Sequence, residues 1–475
     1  MKKADPMKIA LHNTLSRTVQ PFIPLEEGRV RLYTCGPTVY DYAHIGNFKT
    51  YVVEDLLRRV LKFAGYHVTQ VMNITDIDDK IIRATIEKEV ELRDFTAPFT
   101  DAFFQDMEKL NIEKAEFYPR ATDHIPEMVT IIDDLVKKGV AYKGEDNCYY
   151  FSIQRFERYG ALARINRDEM KTSERVKMDE YEKETASDFA LWKAWDEKDG
   201  AIYWDTLLGR GRPGWHIECS AMSMKYLGEE LDIHMGGVDN IFPHHENEIA
   251  QSEAYTGKQF VRYWVHSEHL LVDGKKMSKK LGNFYTLRDL IARGYSPVAI
   301  RYLYISTHYR SKMNFTFEAL KAATNTVQGL KDFLSRLLHL PEKSSRAVPV
   351  EPLIESARSE FCERIADDLN TPQALAAIFN LITQINIMIA RDEITRGGGE
   401  KIRAFFFELD SILGLRLSET EADNTLSDEE QVLLDERARV RKEKNFKRSD
   451  EIRDLLKERG IEINDTPTGV VWKRV

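Results

Sequence analysis

Apolar positions alternate at Val30 and Leu32 and lead into the turn-rich stretch Thr34-Cys35-Gly36-Pro37. A period of two reads as a strand. Tyr51-Val52-Val53, Leu56-Leu57 and Val60-Leu61 then recur at helical spacing, which predicts a helix over 47–64 stopped by Gly65. His67-Val68-Thr69-Gln70-Val71-Met72 alternates again as a second strand. Strand, helix and strand joined by short turns make a βαβ unit and imply a parallel sheet, whose ligands gather at the C-terminal strand ends. Helical segments are predicted near 95–110 and 123–138, followed by a hairpin of 140–143 and 147–151 around Gly144-Glu145-Asp146. Residues 155–200 are charged and aromatic without a clear period. The sheet pattern then resumes. Gly211-Arg212-Pro213-Gly214-Trp215 opens a helix to about Leu227, 231–234 is a strand, and Met235-Gly236-Gly237-Val238-Asp239 is a turn. Pro243 stands near the first position of the next helix, and 263–265 is a further strand. From 296 the period is helical, over 296–306, 316–339, 355–368, 372–390 and 400–413, with Gly397-Gly398-Gly399 breaking the chain before the last. A helical stretch over 426–459, broken at Asn445-Phe446, and a small hairpin of 461–463 and 470–472 finish the sequence.

The fold class expected from this order is α/β. A Rossmann-like parallel-sheet domain is interrupted by a connective insertion and followed by a helical bundle and a small mixed α/β C-terminal module. A chain of 475 residues suits several such units. No unbroken apolar run approaches the roughly 18 residues of a membrane span, and Met1-Lys2-Lys3-Ala4-Asp5-Pro6 lacks the apolar core of a signal sequence. A cytoplasmic protein without membrane attachment is expected. Four cysteines in so long a chain suit reduced thiols or metal ligands better than a disulfide framework. The net charge of −9 argues against a general nucleic-acid binder, yet seven Lys/Arg against one Glu crowd between Arg437 and Arg448. Such a run is either a solvated helix face or a local phosphate-contacting patch.

Candidate chemistry concentrates in a few segments. His44-Ile45-Gly46-Asn47 opens the first core helix, whose unpaired N–H groups and dipole suit phosphates. Gly46, lacking a Cβ, would let a flat base approach the backbone. About 230 residues downstream, Lys276-Met277-Ser278-Lys279-Lys280 forms a polar loop. Its two lysines three apart can neutralise charge developing on a triphosphate; the alternative is a solvated basic loop. Asp76, Asp78 and Asp79 suit either magnesium or the capping of a helix starting near Ile77. His244 and Glu248, four apart on the predicted helix, share one face, and Cys219 and Cys35 fall in elements that can converge on them. All four are competent zinc ligands, while a His/Glu pair at this spacing is also common on solvated faces.

The paired His-Ile-Gly-Asn and Lys-Met-Ser-Lys segments resemble the signatures of class I aminoacyl-tRNA synthetases. Asn47 stands where a second histidine is usual, and Lys280 where a serine is usual. Thr34–Asn47, Asn73–Lys80, Gly211–Met222, Asp232–Glu248 and Lys276–Asn283, taken in order, resemble cysteinyl-tRNA synthetases over nearly the whole chain. That resemblance implies ATP-dependent activation of L-cysteine, with Mg2+, and transfer to the 3′-terminal adenosine of tRNA(Cys) by a monomer. It implies one zinc ion per chain on Cys35, Cys219, His244 and Glu248, which selects cysteine over serine. It implies that His44, Gly46, Asn47, Lys276 and Lys279 handle ATP, and that Asp239 holds the ribose. Thr75, Trp215 and His234 would line the amino-acid pocket, and Arg441, Asp450, Asp465 and Trp472 would read the anticodon. The expected division is 1–117 and 214–295 for the two catalytic halves, 118–213 for the insertion, 296–345 for a stem-contact helical region, 346–415 for the bundle and 416–475 for the anticodon module. Two other readings compete: a shorter ligase that joins cysteine to an amino-sugar, against which 426–475 counts, and a non-catalytic RNA-binding paralogue, against which the intact lysines and metal positions count.

Overall fold

The computed structural model describes residues 7–165, 188–420, 427–443, 445–466 and 469–474. Its centre is a four-stranded, all-parallel sheet in the order Val261–Ser267, Leu231–Gly237, Arg29–Thr34, His67–Met72. The predicted βαβ unit is its middle: the helix Ile45–Phe63 crosses from Arg29–Thr34 to His67–Met72. That helix ends where Gly65 takes a φ of +94°, the left-handed turn glycine adopts most cheaply. It is buried almost all round, which explains how Lys49, Glu54, Asp55, Arg58 and Arg59 can share a core helix with Val52, Leu56 and Val60. Lys49, Asp55, Arg58 and Arg59 are met by partners, whereas burial raises the Glu54 carboxyl well above its ordinary value. Arg301, without solvent exposure, donates to Asp55 Oδ2 at 2.5 Å, to Leu413 O at 2.7 Å and to Leu110 O at 3.0 Å. This buried cation ties the helix Ile45–Phe63 to the end of the bundle helix Arg396–Leu413.

Several expectations are corrected. Residues 155–200 contain the strand Phe189–Ala194, and Gly209–Pro213, expected to open a helix, is also a strand. They join the predicted hairpin in an antiparallel sheet ordered Ala141–Lys143, Tyr149–Phe151, Phe189–Ala194, Gly209–Pro213, Trp204–Thr206. A Cβ on Gly211 would lie 2.2 Å from Lys193 O, so a cross-strand approach decides that residue. The strand at 231–234 runs on through Gly237. Pro243 is not at the first turn of a regular helix. Phe242 before it is extended (φ −138°, ψ 132°), and the helix proper is Glu246–Thr256. The residue before a proline is pushed from the helical region by the ring. The Gly397-Gly398-Gly399 run lies inside Arg396–Leu413 instead of breaking it. A Cβ on Gly399 would lie 2.7 Å from Leu337 O, so this glycine lets two backbones meet.

The helix Thr371–Ala390, with mean hydropathy 1.5, is long and apolar enough to cross a membrane by length and composition. No unbroken apolar run marks it, because Asn380, Thr383, Gln384 and Asn386 interrupt the pattern. Its Ala374, Leu375, Ala377, Ile378, Leu381 and Ile385 are buried in the bundle, as in a core helix. The C-terminal module packs helices Asp428–Lys442 and Phe446–Glu458 with the hairpin Ile461–Thr466 and Gly469–Arg474 around Val440, Ile452, Leu456 and Ile461.

Candidate active site and metal-binding group

Two clusters meet at the C-terminal edge of the parallel sheet. The first is buried. Cys35 follows the Arg29–Thr34 strand, Cys219 lies in the helix Trp215–Leu227, His234 in the Leu231–Gly237 strand, and His244, His245 and Glu248 at the kinked entry to Glu246–Thr256. Their donor atoms form two overlapping quartets, Cys35/Cys219/His244/Glu248 and Cys35/His234/His245/Glu248, each with all atoms within 4.8 Å of one another. His244 Nε2 lies 3.1 Å from Glu248 Oε1 and 3.5 Å from Cys219 Sγ; His245 Nε2 lies 3.2 Å from Cys35 Sγ. His234, expected to line a pocket, has no exposure and sits with its Nε2 2.9 Å from Glu248 Oε2, packed on Trp264 and Tyr33.

Burial raises the Glu248 carboxyl well above its ordinary value, and hydrogen bonding with Cys219 together with burial raises the Cys35 thiol. Burial lowers His234 to about 3 and His244 well below the usual range, so both imidazoles are neutral. Neutral imidazole is the ligand form. Glu248 Oε1 is buried without a hydrogen-bond donor, an expensive arrangement that a dication would repair. Thiols, imidazole and carboxylate that nearly touch in a buried site fit zinc in chemistry and in spacing. His245 was not singled out from sequence, although its place beside His244 was the available signal. His245 Nδ1 lies 2.8 Å from His266 Nε2, and His266 Nδ1 lies 2.7 Å from Thr14 Oγ1, fixing the ring from behind.

The second cluster faces solvent. His44 caps the helix Ile45–Phe63: its Nδ1 accepts Asn47 N–H at 3.0 Å, while Asn47 Oδ1 accepts His44 N–H at 3.1 Å. A neutral imidazole is needed for that acceptance, and burial lowers the His44 pKa accordingly. A Cβ on Gly46 would lie 3.0 Å from the His44 ring and 3.2 Å from Met277, so the lysine loop closes directly over this turn. Ile45 N–H bonds Tyr285 O at 3.0 Å, anchoring the far end of that loop. Lys276 and Lys279 are exposed; Lys279 Nζ pairs with Asp41 and stands over the Phe284 ring. Asp239 is exposed in the turn after Gly236-Gly237, where a Cβ on Gly237 would meet Asp239 Oδ1 at 2.3 Å.

Thr75 is buried against the backbone of Pro37 and Val39, and its Oγ1 accepts from Asn73 Nδ2 at 3.1 Å. Trp215 is half-buried and stacks on His244 with centroids 4.2 Å apart. The three carboxylates at 76–79 have separate partners: Asp76 accepts from Thr122, Asp78 caps Asp79–Lys88, and Asp79 pairs with Lys193 and Arg212. In the C-terminal module Arg441 is exposed at the end of one helix, and Asp450, exposed on the next, pairs with Arg453 at 3.1 Å. Trp472 is half-buried against the module's core, opposite Ile463. Asp465 lies in the hairpin, with its side chain outside what is described. Arg437, counted in the basic run, is 1% exposed and so is no part of a solvated patch.

A parallel sheet that seats a capped helix N-terminus and a lysine loop at its C-terminal edge defines a class I aminoacyl-tRNA synthetase. Residues 21–325 match the model of the tRNA synthetases class I (C) catalytic domain, 360–418 the DALR domain, and 423–472 the cysteinyl-tRNA ligase anticodon binding domain. The chain is 48% identical to a cysteine–tRNA ligase of Protochlamydia amoebophila, over 98% of each chain. It is 49% identical to that of Chlamydia muridarum over 99% of this chain and 100% of the other. Among solved structures it resembles Mycobacterium tuberculosis methionyl-tRNA synthetase in complex with methionyl-adenylate, with TM-score 0.61 and 15% identity over 82% of this chain and 91% of that one. A putative arginyl-tRNA synthetase of Campylobacter jejuni gives TM-score 0.55 and 12% identity over 82% and 93%. These two share the fold. The chain belongs to the cysteinyl-tRNA ligase family.

Proposed function

We propose that this protein activates L-cysteine with ATP, Mg2+-assisted, to cysteinyl-adenylate and pyrophosphate, and then transfers the cysteinyl group to the 3′-terminal adenosine of tRNA(Cys). The observation that carries the proposal is the buried thiol–imidazole–carboxylate group beside a helix N-terminus and a lysine loop on one sheet edge. Cys35, Cys219, His244 and Glu248 would hold one zinc ion, because that quartet has two sulfur donors where the other has one. When bound, zinc supplies a Lewis acid that favours a thiolate far over a neutral hydroxyl, which an apolar pocket alone separates poorly. Thr75, Trp215 and His234 would bound the amino-acid pocket, His234 by supporting Glu248 from behind. His44, Gly46 and Asn47 would present the helix N-terminus to the ATP phosphates, and Asp239 would accept hydrogen bonds from the ribose hydroxyls.

The substrate carboxylate itself attacks the α-phosphorus, so no protein nucleophile is required. Lys276 and Lys279 would stabilise charge on the departing pyrophosphate, which requires Lys279 to leave Asp41. Arg441, Asp450, Asp465 and Trp472 would recognise the anticodon through phosphate, base-edge and stacking contacts. The protein would act as a cytoplasmic monomer free of membranes, with the domain division given above. The shorter amino-sugar ligase is disfavoured by the matched anticodon binding domain.

Cysteine-dependent ATP–pyrophosphate exchange and charging of tRNA(Cys) by zinc-loaded protein test the proposal. Both are expected. Absence of exchange with cysteine would overturn it and favour a non-catalytic RNA-binding role.

A further inference from the structure

The catalytic helix carries a cation that the proposed chemistry does not use. Lys49 stands one turn after Ile45, yet its side chain has no solvent exposure. A buried ammonium is rare unless every donor is satisfied. Its Nζ donates to Ser267 Oγ at 3.2 Å, to Glu268 O at 2.5 Å and to Tyr309 O at 3.3 Å. All three acceptors are neutral oxygens, so the ammonium acts as a three-way clamp and not as half of an ion pair.

The position of those acceptors gives the clamp a purpose. Ser267 ends the Val261–Ser267 strand, and Glu268 begins the passage through Leu270–Val272 to Lys275–Lys276 and the lysine loop. Glu268 N–H in turn bonds Tyr309 O at 2.8 Å, and Met313 N–H bonds His269 O at 3.1 Å, so the same corner is stitched to Met313–Phe315. One residue before the clamp, His266 reaches His245, whose Nε2 is 3.2 Å from Cys35 Sγ. Tyr309 Oη donates to Asp368 Oδ1, between two bundle helices, at 2.5 Å. The root of the lysine loop, the rear of the metal-binding group and the bundle thus meet at a corner fixed to the catalytic helix by one ammonium.

We infer that Lys49 is a positioning residue for adenylation: it locks the Ser267–Glu268 corner to the catalytic helix, and so sets the register of the lysine loop against the His44–Asn47 turn. The inference rests on the proposed function. Lys276 and Lys279 are long and exposed, so their reach to a triphosphate depends on where the loop root sits. Loss of the clamp therefore disturbs the charge-stabilising step and leaves amino-acid recognition in place.

Lys49→Met removes the charge and all three donations at nearly constant volume, and Ser267→Ala removes one acceptor. Both are compared with wild type in cysteine-dependent pyrophosphate exchange, metal content and thermal unfolding. Backbone hydrogen exchange over 268–283 is read without substrates, so the clamp can fail while the function stands, and wild-type exchange tests the function alone. Folded, metal-loaded Lys49→Met is expected to lose about 10- to 100-fold in kcat, with KM for L-cysteine within about twofold and faster hydrogen exchange at 268–283. Ser267→Ala is expected to lose about 2- to 5-fold in kcat. A folded Lys49→Met with kcat within twofold of wild type overturns the inference, as does a loss explained by lost metal. Should Lys49→Met not fold, Ser267→Ala decides: unchanged kcat and unchanged hydrogen exchange at 268–283 overturn it.

Discussion

The buried donor group and the lysine loop lie on the same sheet edge and are built in opposite ways. Cys219, His244, His245 and Glu248 are enclosed, held by one another and by rings stacked behind them. Lys276, Lys279 and Lys280 are exposed on a two-residue strand and a single helical turn. Selection between cysteine and serine needs preformed donors at fixed spacing, which burial supplies. Charge stabilisation on a departing pyrophosphate needs cations that arrive late, which an exposed loop supplies. On the proposed function, burial would serve recognition and exposure would serve the chemistry.

Breaking the buried side has the largest expected effect. Cys219→Ala should reduce cysteine-dependent exchange about 10³-fold, since a lost metal forfeits several kcal/mol of stabilisation, with metal content falling in parallel. His245→Asn, which belongs to the other quartet, should keep its metal; elemental analysis of both variants separates the two donor sets. A pH series sharpens the contrast next. Burial lowers the Lys49 ammonium from 10.5 to about 8. Between those values the unfolded chain binds more protons than the folded one, so stability rises with pH across that window. The rise attributable to Lys49 is at most about 3 kcal/mol, read as the difference between wild type and Lys49→Met in urea unfolding at pH 8 and pH 10.

On the exposed side, Lys279→Ala should lower kcat about 10²-fold while the unfolding temperature stays put, because a solvated pair such as Lys279–Asp41 contributes at most about 1 kcal/mol. The smallest effect tests packing away from both clusters. Gly399→Ala should cost roughly 1–2 kcal/mol of stability, with pyrophosphate exchange unchanged in the folded protein.

Much of this arrangement was legible in sequence. The alternation at 67–72, the helical period after Asn47 and the punctuation by Gly65 are local, and they place the βαβ core to within a residue or two. What escaped depends on contacts distant in sequence. Gly211 and Gly214 pack against Lys193 O and Ala190 O across strands, and Gly399 packs against Leu337 O across helices. From the sequence, these glycines read as breaks or helix openings. The same holds at the site: Cys35, Cys219, His244 and Glu248 could be gathered by motif, but His245, His266 and Lys49 are visible only once four strands bring them together.

On the proposed function, the buried group selects the substrate through a metal. Its most direct test is the ratio of kcat/KM for cysteine to that for serine in pyrophosphate exchange, before chelation, after chelation and after zinc is restored. A ratio of roughly 10⁴ or more is expected in zinc-loaded protein, with loss of cysteine-dependent exchange on chelation and recovery with zinc. Chelated protein, shown free of metal, that still exchanges with cysteine and still rejects serine would contradict it.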